Sequence, residues 1–262
     1  MTEKKNVREL FDLSGRIAVV TGGAGLYGRQ IVEALAEAGA RVFMASRNLE
    51  AQEAQASAFR QAELDVTALQ FDQSNEDSVR QLLEQVVTAA GKADILVNNA
   101  VLRPMRDWSG TAEQFAKSME VNATGLFSIT RAFGDHMAEH GRGSIINVGS
   151  IQGMVGPDYT LYEGLNMMTP PDYFFHKGGM LQLTQYAASK LGPRGVRVNT
   201  ITPGGFFNNQ DPTFVERYNA RTFLGRMADE SDLKGAVVFL ASDASAYVTG
   251  ANVVVDGGYT CK

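Results

Sequence analysis

The feature that most constrains this chain is a regular alternation of short apolar runs with longer amphipathic segments. Segments of helical periodicity lie near residues 28–39, 49–62, 75–90, 112–140, 173–191 and 230–242. Apolar runs of strand length lie at residues 16–20, 41–45, 66–71, 94–97, 144–148, 196–201 and 252–255. Strands that are apolar throughout and alternate with helices are typical of a parallel sheet covered on both faces. We therefore predict an α/β fold over residues 1–262: a single doubly wound domain with about seven parallel strands.

Composition and charge exclude several classes of protein and of partner. The chain has 262 residues, of which 44% are hydrophobic and 20% charged, and this excludes a disordered or collagen-like protein. A net charge of −5 argues against a nucleic acid as partner. The single cysteine, Cys261, cannot form an intrachain disulfide. The segment MTEKKNVREL lacks the apolar core of a signal peptide, and no run of 18 apolar residues occurs, so we expect a cytoplasmic protein without membrane spans.

Glycines follow the first predicted strand and precede the first amphipathic helix. Gly23, Gly25 and Gly28 fit the pattern G-x-G-x-x-G within TGGAGLYG, residues 21–28. Glycine allows the backbone to approach a pyrophosphate, whose charge the helix N-terminus stabilises. The strand–turn–helix context favours a dinucleotide site; the alternative is a plain tight turn.

The end of the second predicted strand bears on which dinucleotide binds. NAD-preferring folds usually carry an acidic residue there, but this chain has Ser46, 24 positions after Gly22, followed by Arg47. A serine can donate a hydrogen bond to a 2′-phosphate, and a guanidinium matches its charge and geometry. We predict that NADP(H) is favoured over NAD(H) by about 1–3 kcal/mol. The alternative is that Arg47 stacks on adenine or faces solvent.

Two tyrosine–lysine pairs have the spacing of one helical turn. They are Tyr173–Lys177, in YFFHK, and Tyr186–Lys190, in YAASK. At this spacing both side chains lie on one face of a helix, and the ammonium favours the phenolate and so lowers the tyrosine's pKa. Either pair could supply a general acid/base.

Taken together, the motifs resemble those of the short-chain dehydrogenase/reductase family, in its compact branch and nearest to gluconate 5-dehydrogenase-like members. The resemblance covers essentially the whole chain and implies a Rossmann-fold, NAD(P)-dependent oxidoreductase that interconverts a secondary alcohol and a ketone. It is carried by TGGAGLYG, NNA (98–100), INVGS (146–150), RVN (197–199), Pro203–Gly204 and VDGG (255–258).

The resemblance also selects between the two tyrosines. Tyr173 precedes the RVN strand at Arg197 by 24 positions, as is usual in the family, whereas Tyr186 precedes it by only 11. It implies that Tyr173 is the general acid/base and that Lys177 lowers its pKa and holds the nicotinamide ribose. Tyr186 is then a helix-packing residue.

Two further residues complete the catalytic group that the resemblance implies. Ser150 would orient the reacting oxygen, and the alternative is a serine in a turn. Asn122, in MEVNATG, would position a water in a proton relay through the lysine, and the alternative is a buried, satisfied asparagine. No metal ligand set is expected.

The resemblance assigns fifteen positions to the cofactor, although the chain departs from the family pattern near some of them. Leu26 stands where the compact branch usually has glycine, and no threonine follows Gly204, so the backbone of Phe206 is expected at the carboxamide. Asp72 would meet the adenine amino group or cap the next helix. The assigned positions are Gly22, Gly23, Gly25, Leu26, Gly28, Ser46, Arg47, Asp72, Asn99, Ala100, Tyr173, Lys177, Pro203, Gly204 and Phe206.

The substrate region is expected in an insertion before the catalytic tyrosine. Tyr173 follows Ser150 by 23 positions, more than is usual in the family, and residues 151–172 hold the excess. We expect residues 203–228 to form a substrate lid and residues 1–15 an N-terminal arm. Candidate substrate contacts are Arg103, Gln152, Tyr159, Tyr162, His176, Phe207 and Asn208, which suit a sugar, polyol or sugar acid. Phe206, Phe207, Met167 and Met168 could instead line a slot for a 3-oxoacyl thioester or other lipophilic ketone, or the insertion could be a solvated decoration.

Other classes of function stay open beside the dehydrogenase. The TGGAGLYG spelling suggests a nucleotide-sugar epimerase, which would need a substrate domain after the last strand. A non-catalytic cofactor-binding regulator is opposed by the intact catalytic residues. The resemblance further implies a homotetramer, or a dimer, in which helices near 112–140 and 173–191 pair between subunits; the alternative is that they are intrachain core.

Overall fold

The computed structural model describes residues 5–261 and contains one sheet of seven parallel strands, as the sequence predicts. Its spatial order is β3-β2-β1-β4-β5-β6-β7, so the order reverses between β1 and β4. The strands are β1 (Ile17–Thr21), β2 (Arg41–Ser46), β3 (Val66–Gln70), β4 (Ile95–Asn98), β5 (Gly143–Val148), β6 (Val196–Pro203) and β7 (Asn252–Val255).

Nine α-helices lie in the described part of the chain. They are α1 (Val7–Phe11), α2 (Leu26–Glu37), α3 (Leu49–Gln61), α4 (Glu76–Ala90), α5 (Ala112–Met119), α6 (Leu126–Glu139), α7 (Pro171–Leu191), α8 (Pro212–Asn219) and α9 (Lys234–Ala241). Short 3₁₀ turns occupy Ile151–Gly153, Tyr159–Leu161, Gly192–Arg194, Asp243–Ser245 and Tyr259–Cys261. Within residues 5–261, no helix has the length and apolar character needed to cross a membrane.

Two helical predictions needed correction, and two further helices were not predicted. The segment 112–140 is not one helix, because a π-helical turn, Glu120–Gly125, separates α5 from α6. The helix predicted near 230–242 begins only at Lys234, because Asp229 and Asp232 fold the preceding residues into a turn: Asp232 accepts from the Asp229 N–H and Asp229 from the Ser231 N–H. The sequence analysis missed α1 and α8, although α8 carries a start signal, Asp211 as N-cap before a proline.

The core consists of two apolar layers, one on each face of the sheet. Alternate residues of β1 enter different layers, Ala18 and Val20 on one face and Ile17 and Val19 on the other. Helices α2, α3 and α9 cover the first face, and α4, α6 and α7 the second. Burial on both faces explains why the strands are apolar throughout.

A chain of buried polar side chains joins the central strands to α7. Asn98 of β4 donates to Asn147 of β5 at 2.8 Å, and Asn147 donates to Thr184 of α7 at 2.8 Å. Thr184 lies 2.8 Å from the hydroxyl of Thr200 in β6. Because buried hydrogen bonds of this kind are costly to break, the network fixes α7 against the sheet.

The predicted insertion packs against the predicted lid. Ile151 and Leu161 form a third apolar cluster with Phe214, Tyr218 and Met227. The Arg221 guanidinium also pairs with the Asp158 carboxylate and donates to the Thr160 hydroxyl. These contacts join the insertion to the segment around α8.

Residues 1–4 of the predicted N-terminal arm lie outside the described residues. In the described part, the Leu13 side chain is fully buried and belongs to the first apolar layer. The ring of Phe11 lies 6.4 Å from that of Phe239 in α9. This part of the arm therefore packs on the α9 side of the sheet.

Candidate active site

The Tyr173–Lys177 pair lies in the first two turns of α7, which begins at Pro171. Pro suits this position because its missing N–H has no partner to lose there. Tyr173 and Lys177 are 9% and 3% exposed, and the Lys177 Nζ lies 5.6 Å from the centre of the Tyr173 ring. The same Nζ donates to the carbonyl oxygen of Val148, the last residue of β5. The lysine thus connects the tyrosine to the end of the strand that leads to Ser150.

A second cation, Arg103, which the sequence predicts as a substrate contact, also contacts the tyrosine. The Arg103 guanidinium lies over the Tyr173 ring, 4.3 Å from its centre. Burial raises the pKa of the Tyr173 hydroxyl, but the charges of Lys177 and Arg103 and hydrogen bonds with Ser150 and Arg103 outweigh burial, and the pKa is lowered overall. The two cations therefore favour the phenolate in spite of burial.

Ser150 stands immediately after β5 and caps the turn Ile151–Gly153. Its backbone is extended, and its Oγ accepts a hydrogen bond from the Gln152 N–H at 3.2 Å. Its hydroxyl also lies near enough to that of Tyr173 to help lower the pKa of the tyrosine. A hydroxyl beside the tyrosine oxygen is placed to bind the same substrate oxygen.

Asn122 lies in the π-helical turn, a rare geometry that often marks functional sites. Its side chain makes two hydrogen bonds to the loop after β4. The Oδ1 accepts from the Leu102 N–H at 2.9 Å, and the Nδ2 donates to the Leu102 carbonyl at 2.7 Å. The next residue is Arg103, so the asparagine side chain holds the loop that delivers the second cation. Its role in a water relay stays a prediction.

His176 and Asp172 lie beside the catalytic pair on α7, and both are buried. The His176 ring packs edge-on against that of Tyr173, with 5.1 Å between centroids. Burial and the charges of Lys177 and Arg103 lower the pKa of His176 to about 3, so the ring is neutral near pH 7. Neither its nitrogens nor the Asp172 carboxylate oxygens have a hydrogen-bond partner among the described residues. His176, predicted as a substrate contact, here supports the tyrosine ring.

The competing tyrosine lies elsewhere. Tyr186 is 69% exposed, and Lys190, in the last turn of α7, is exposed as well. Neither residue packs at the carboxyl edge of the sheet. This placement agrees with the choice of Tyr173.

The phosphate loop has the shape that a pyrophosphate requires. Gly22 has φ +67°, and a Cβ at Gly28 would lie 2.1 Å from the Gly22 carbonyl oxygen, so both positions need glycine. A Cβ at Gly23 would lie 2.7 Å from that of Met44. Helix α2 begins at Leu26 with Gly25 as its N-cap, and no side chain caps it, so its first N–H groups are available to an anion. These residues fit a dinucleotide cofactor.

Asn99 and Ala100 hold this loop rather than pointing freely into a pocket. The Asn99 Nδ2 donates to the carbonyls of Thr21 and Gly22, at 3.1 and 2.9 Å. The Thr21 Oγ1 accepts from the backbone N–H groups of Asn99 and Ala100. The NNA turn therefore fixes the phosphate loop at the point where the strand order reverses, the usual ligand crevice of such sheets.

The predicted adenosine contacts lie at the ends of β2 and β3. Arg47 is exposed, and its charge helps to lower the pKa of Asp72 against the effect of partial burial. The Asp72 carboxylate accepts from the Ser74 N–H and hydroxyl, whereas Asn75 is the N-cap of α4. The capping alternative for Asp72 is therefore wrong, and its adenine contact stays a prediction.

The expected nicotinamide side is formed by the end of β6 and the residues after it. The Gly204 carbonyl accepts from the Tyr27 hydroxyl at 2.8 Å, and the Tyr27 and Phe206 rings pack edge to face at 5.4 Å. The Phe206 carbonyl already accepts from the Gln210 Nε2 at 2.6 Å. We therefore expect the Phe206 N–H, rather than this carbonyl, to make the predicted contact with the carboxamide. Pro203 ends β6 beside Val255 of β7.

The remaining predicted substrate residues are divided between two environments. Gln152 and Tyr162 lie close to each other inside the insertion, and Thr169 is near the same tyrosine. Tyr159 and Phe207 are 59% and 49% exposed, and Asn208 is exposed too. The structure thus brings Arg103 and His176 to the tyrosine, and leaves Tyr159, Phe207 and Asn208 at the surface.

Comparison with known proteins identifies the family. A family model described as enoyl-(acyl carrier protein) reductase matches residues 25–260. A probable galactose dehydrogenase of Rhizobium meliloti is 34% identical over 264 residues, covering 94% of this chain and 96% of its own. The chain belongs to the short-chain dehydrogenase/reductase family. It is an oxidoreductase acting on CH–OH groups.

Two further members of this short-chain dehydrogenase/reductase family are similar over nearly their whole length. The L-rhamnose 1-dehydrogenase (NAD(P)(+)) of Azotobacter vinelandii is 35% identical, covering 94% of this chain and 97% of its own. The crystal structure of a gluconate 5-dehydrogenase from Burkholderia cenocepacia, in complex with NADP and tartrate, has a TM-score of 0.89 at 30% identity and covers 98% of this chain and 100% of that one. The fold prediction and the family resemblance are confirmed.

Replacing Tyr173 with Phe removes the hydroxyl and keeps the ring between Arg103 and His176. We expect kcat to fall by roughly 10²- to 10⁴-fold, because the proton then has no acid/base to carry it. Cofactor binding, measured by fluorescence titration, should persist. Tyr186→Phe is the matched control and should retain activity, and loss of activity in Tyr186→Phe alone would overturn the assignment.

The Arg103 charge predicts a shift in the pH dependence of alcohol oxidation. Oxidation needs the phenolate, so its rate falls as pH drops through the pKa of Tyr173. Arg103→Met removes a cation and a hydrogen bond that favour the phenolate, so this pKa rises and the acidic limb of kcat/KM should move to higher pH. Arg106→Met, at an exposed neighbouring arginine, is the control and should leave the profile in place.

Proposed function

We propose that this protein is a cytoplasmic oxidoreductase that prefers NADP(H) and interconverts a secondary alcohol and a ketone on a sugar, polyol or sugar acid. The observation that carries the proposal is the Tyr173 hydroxyl, held by Ser150 and two cations at the carboxyl edge of the sheet. That arrangement handles one proton and one oxygen atom, as alcohol oxidation requires.

In the oxidation direction, the Tyr173 phenolate takes the proton of the substrate hydroxyl while Ser150 hydrogen bonds to the same oxygen. In reduction, the Tyr173 hydroxyl returns that proton to the oxygen. Lys177 and Arg103 favour the phenolate by lowering the pKa of Tyr173. When bound, the nicotinamide cofactor would supply the hydride acceptor for oxidation and the hydride donor for reduction. Residues 22–28 would hold its pyrophosphate, and Lys177 its ribose.

A polyhydroxylated or acidic substrate is supported by the groups around the tyrosine. The Arg103 side chain combines an exposed position with a contact to the reacting tyrosine, so a substrate carboxylate near the reacting carbon would find a guanidinium. The Gln152–Tyr162 pair adds polar groups in the adjoining insertion. The similar proteins named as galactose, rhamnose and gluconate dehydrogenases act on such compounds by name.

A substrate panel tests this assignment. We expect sugars, polyols and aldonates to be oxidised, and aldonates to lose more kcat/KM than neutral polyols in Arg103→Met, because only they carry a carboxylate. The readout is absorbance of the reduced cofactor, which forms as alcohols are oxidised and disappears as ketones are reduced; both cofactors are tested, and Arg106→Met is the control. Turnover of hydrophobic ketones alone, with no polyhydroxylated compound accepted, would contradict the proposal.

A lipophilic ketone is the second candidate, and two observations favour it. The exposed Met168 and Phe207 side chains present apolar surface near the insertion and the lid. A 3-alpha-(or 20-beta)-hydroxysteroid dehydrogenase of Mycobacterium tuberculosis is also 36% identical over 255 residues. The same panel, extended to a 3-oxoacyl thioester and a steroid ketone, separates the candidates.

The preference for NADP(H) is supported by Ser46 and the exposed Arg47 at the end of β2. Replacing them together, Ser46→Asp with Arg47→Leu, adds a carboxylate that repels a 2′-phosphate and removes the cation that attracts it. We expect the ratio of kcat/KM for NADP⁺ over NAD⁺ to fall by roughly 5- to 150-fold. A parent enzyme that prefers NAD(H) by a wide margin would refute the role of Arg47.

A homotetramer is supported by apolar side chains on the outside of α6 and α7. Phe175 and Tyr186 are 63% and 69% exposed on α7, and Phe127 is 44% exposed on α6. Pairing of these faces between two copies would bury them. We expect light scattering at micromolar concentration to give about four times 28.3 kDa, and Phe175→Glu to lower that mass while Val7→Glu, on exposed α1, does not. A monomeric parent would contradict the assembly.

A further inference from the structure

A buried glutamine lies behind the serine at the end of β2. Gln52, in the first turns of α3, is 2% exposed, and its Nε2 donates to the Ser46 Oγ at 2.8 Å. Its Oε1 is buried without a hydrogen-bond partner among the described residues. Burying a polar side chain that leaves one of its groups without a hydrogen bond costs free energy. The single bond from Gln52 to Ser46 must therefore matter to the fold or to the site.

The direction of that bond follows from the neighbours of the serine. The Ser46 Oγ also lies 3.4 Å from the Asn48 carbonyl oxygen, which can only accept. A hydroxyl has one proton, and with that proton directed at Asn48 the Gln52 amide must be the donor. If the Gln52 amide were turned so that Oε1 faced the serine, the Ser46 hydroxyl would donate its proton to Oε1. The Asn48 carbonyl and the buried NH₂ group of Gln52 would then both lack a partner.

The serine proton is therefore free to turn outward. Its present contact is long and weak, whereas the Gln52 bond at 2.8 Å occupies the oxygen as an acceptor. A group arriving at the rim meets Ser46 as a hydrogen-bond donor. The oxygens of a 2′-phosphate are acceptors, and successive donors polarise one another, so the chain from Gln52 through Ser46 strengthens the bond to phosphate.

We propose that Gln52 is a positioning residue for cofactor choice, which orients the Ser46 hydroxyl as a donor toward a 2′-phosphate. The inference rests on the proposed NADP(H) preference and adds a residue that does not touch the cofactor. Arg47 supplies charge at the exposed rim, but Gln52 is uncharged and buried, so its effect passes through Ser46. It should disappear when the serine hydroxyl is removed.

The test measures binding of adenosine fragments, independently of turnover. Isothermal titration with 2′,5′-ADP and with 5′-AMP isolates the 2′-phosphate, since the two ligands differ only there. Gln52→Met keeps the length and apolar packing of the side chain without the donor. We expect it to weaken 2′,5′-ADP binding by roughly three- to tenfold and to leave 5′-AMP binding unchanged.

Two further variants complete the design. Gln52→Glu offers the serine an acceptor instead of a donor and so turns its proton inward, and it should weaken 2′,5′-ADP binding more than Gln52→Met does. The double variant Ser46→Ala with Gln52→Met should bind 2′,5′-ADP no more weakly than Ser46→Ala alone, because the glutamine then has nothing to orient. Thermal melting of each variant confirms that it is folded.

The outcomes separate the inference from the proposed function. If the parent prefers 2′,5′-ADP but Gln52→Met weakens both ligands equally, or if the double variant shows additive losses, Gln52 is only a packing residue and the inference is overturned. If the parent itself binds 5′-AMP as tightly as 2′,5′-ADP, the proposed cofactor preference fails, and the inference fails with it because no phosphate contact exists to orient.

Discussion

The site depends on one constraint, that all seven strands run in the same direction. Their carboxyl ends consequently meet at a single edge, where residues far apart in the chain become neighbours. β1 delivers the phosphate loop, β2 delivers Ser46, and β5 delivers Ser150. The bond from Lys177 to the Val148 carbonyl and the network through Asn147 and Thr184 fix α7 to this edge. Tyr173 is placed by the sheet as much as by its own helix.

Electrostatics at that edge sets Tyr173 apart from the other tyrosines that are buried or half-buried. Burial alone disfavours a phenolate, and it raises the pKa of Tyr27, Tyr162, Tyr218 and Tyr259. At Tyr173 the same desolvation is present, yet two cations and two hydrogen bonds reverse its effect. The Asn122 side chain hydrogen bonds to both backbone groups of Leu102, the residue before Arg103. These bonds hold the loop between β4 and α5, and so help to keep the Arg103 charge beside Tyr173.

Periodicity in the sequence was sufficient for the parallel sheet, because strands buried on both faces must be apolar throughout. The glycine loop was also readable, since Gly28 permits a contact that any side chain would block. Motif spacing favoured Tyr173 over Tyr186. The contact between Arg103 and Tyr173 was not readable, because it depends on the path of an irregular loop. Nor were hydrogen-bond directions, such as the bond from Gln52 to Ser46 or the occupied Phe206 carbonyl, since these depend on atoms that only a folded chain brings together.

The central claim is that the site holds one tyrosine with a lowered pKa, and that this tyrosine is Tyr173. The most direct measurement is a pH titration of tyrosinate absorbance in the ultraviolet, comparing the parent with Tyr173→Phe. The account predicts that one of the eight tyrosines ionises before the others in the parent, and that this first step is absent in Tyr173→Phe. An early step that persists in Tyr173→Phe, or a parent in which no tyrosine ionises early, would contradict it.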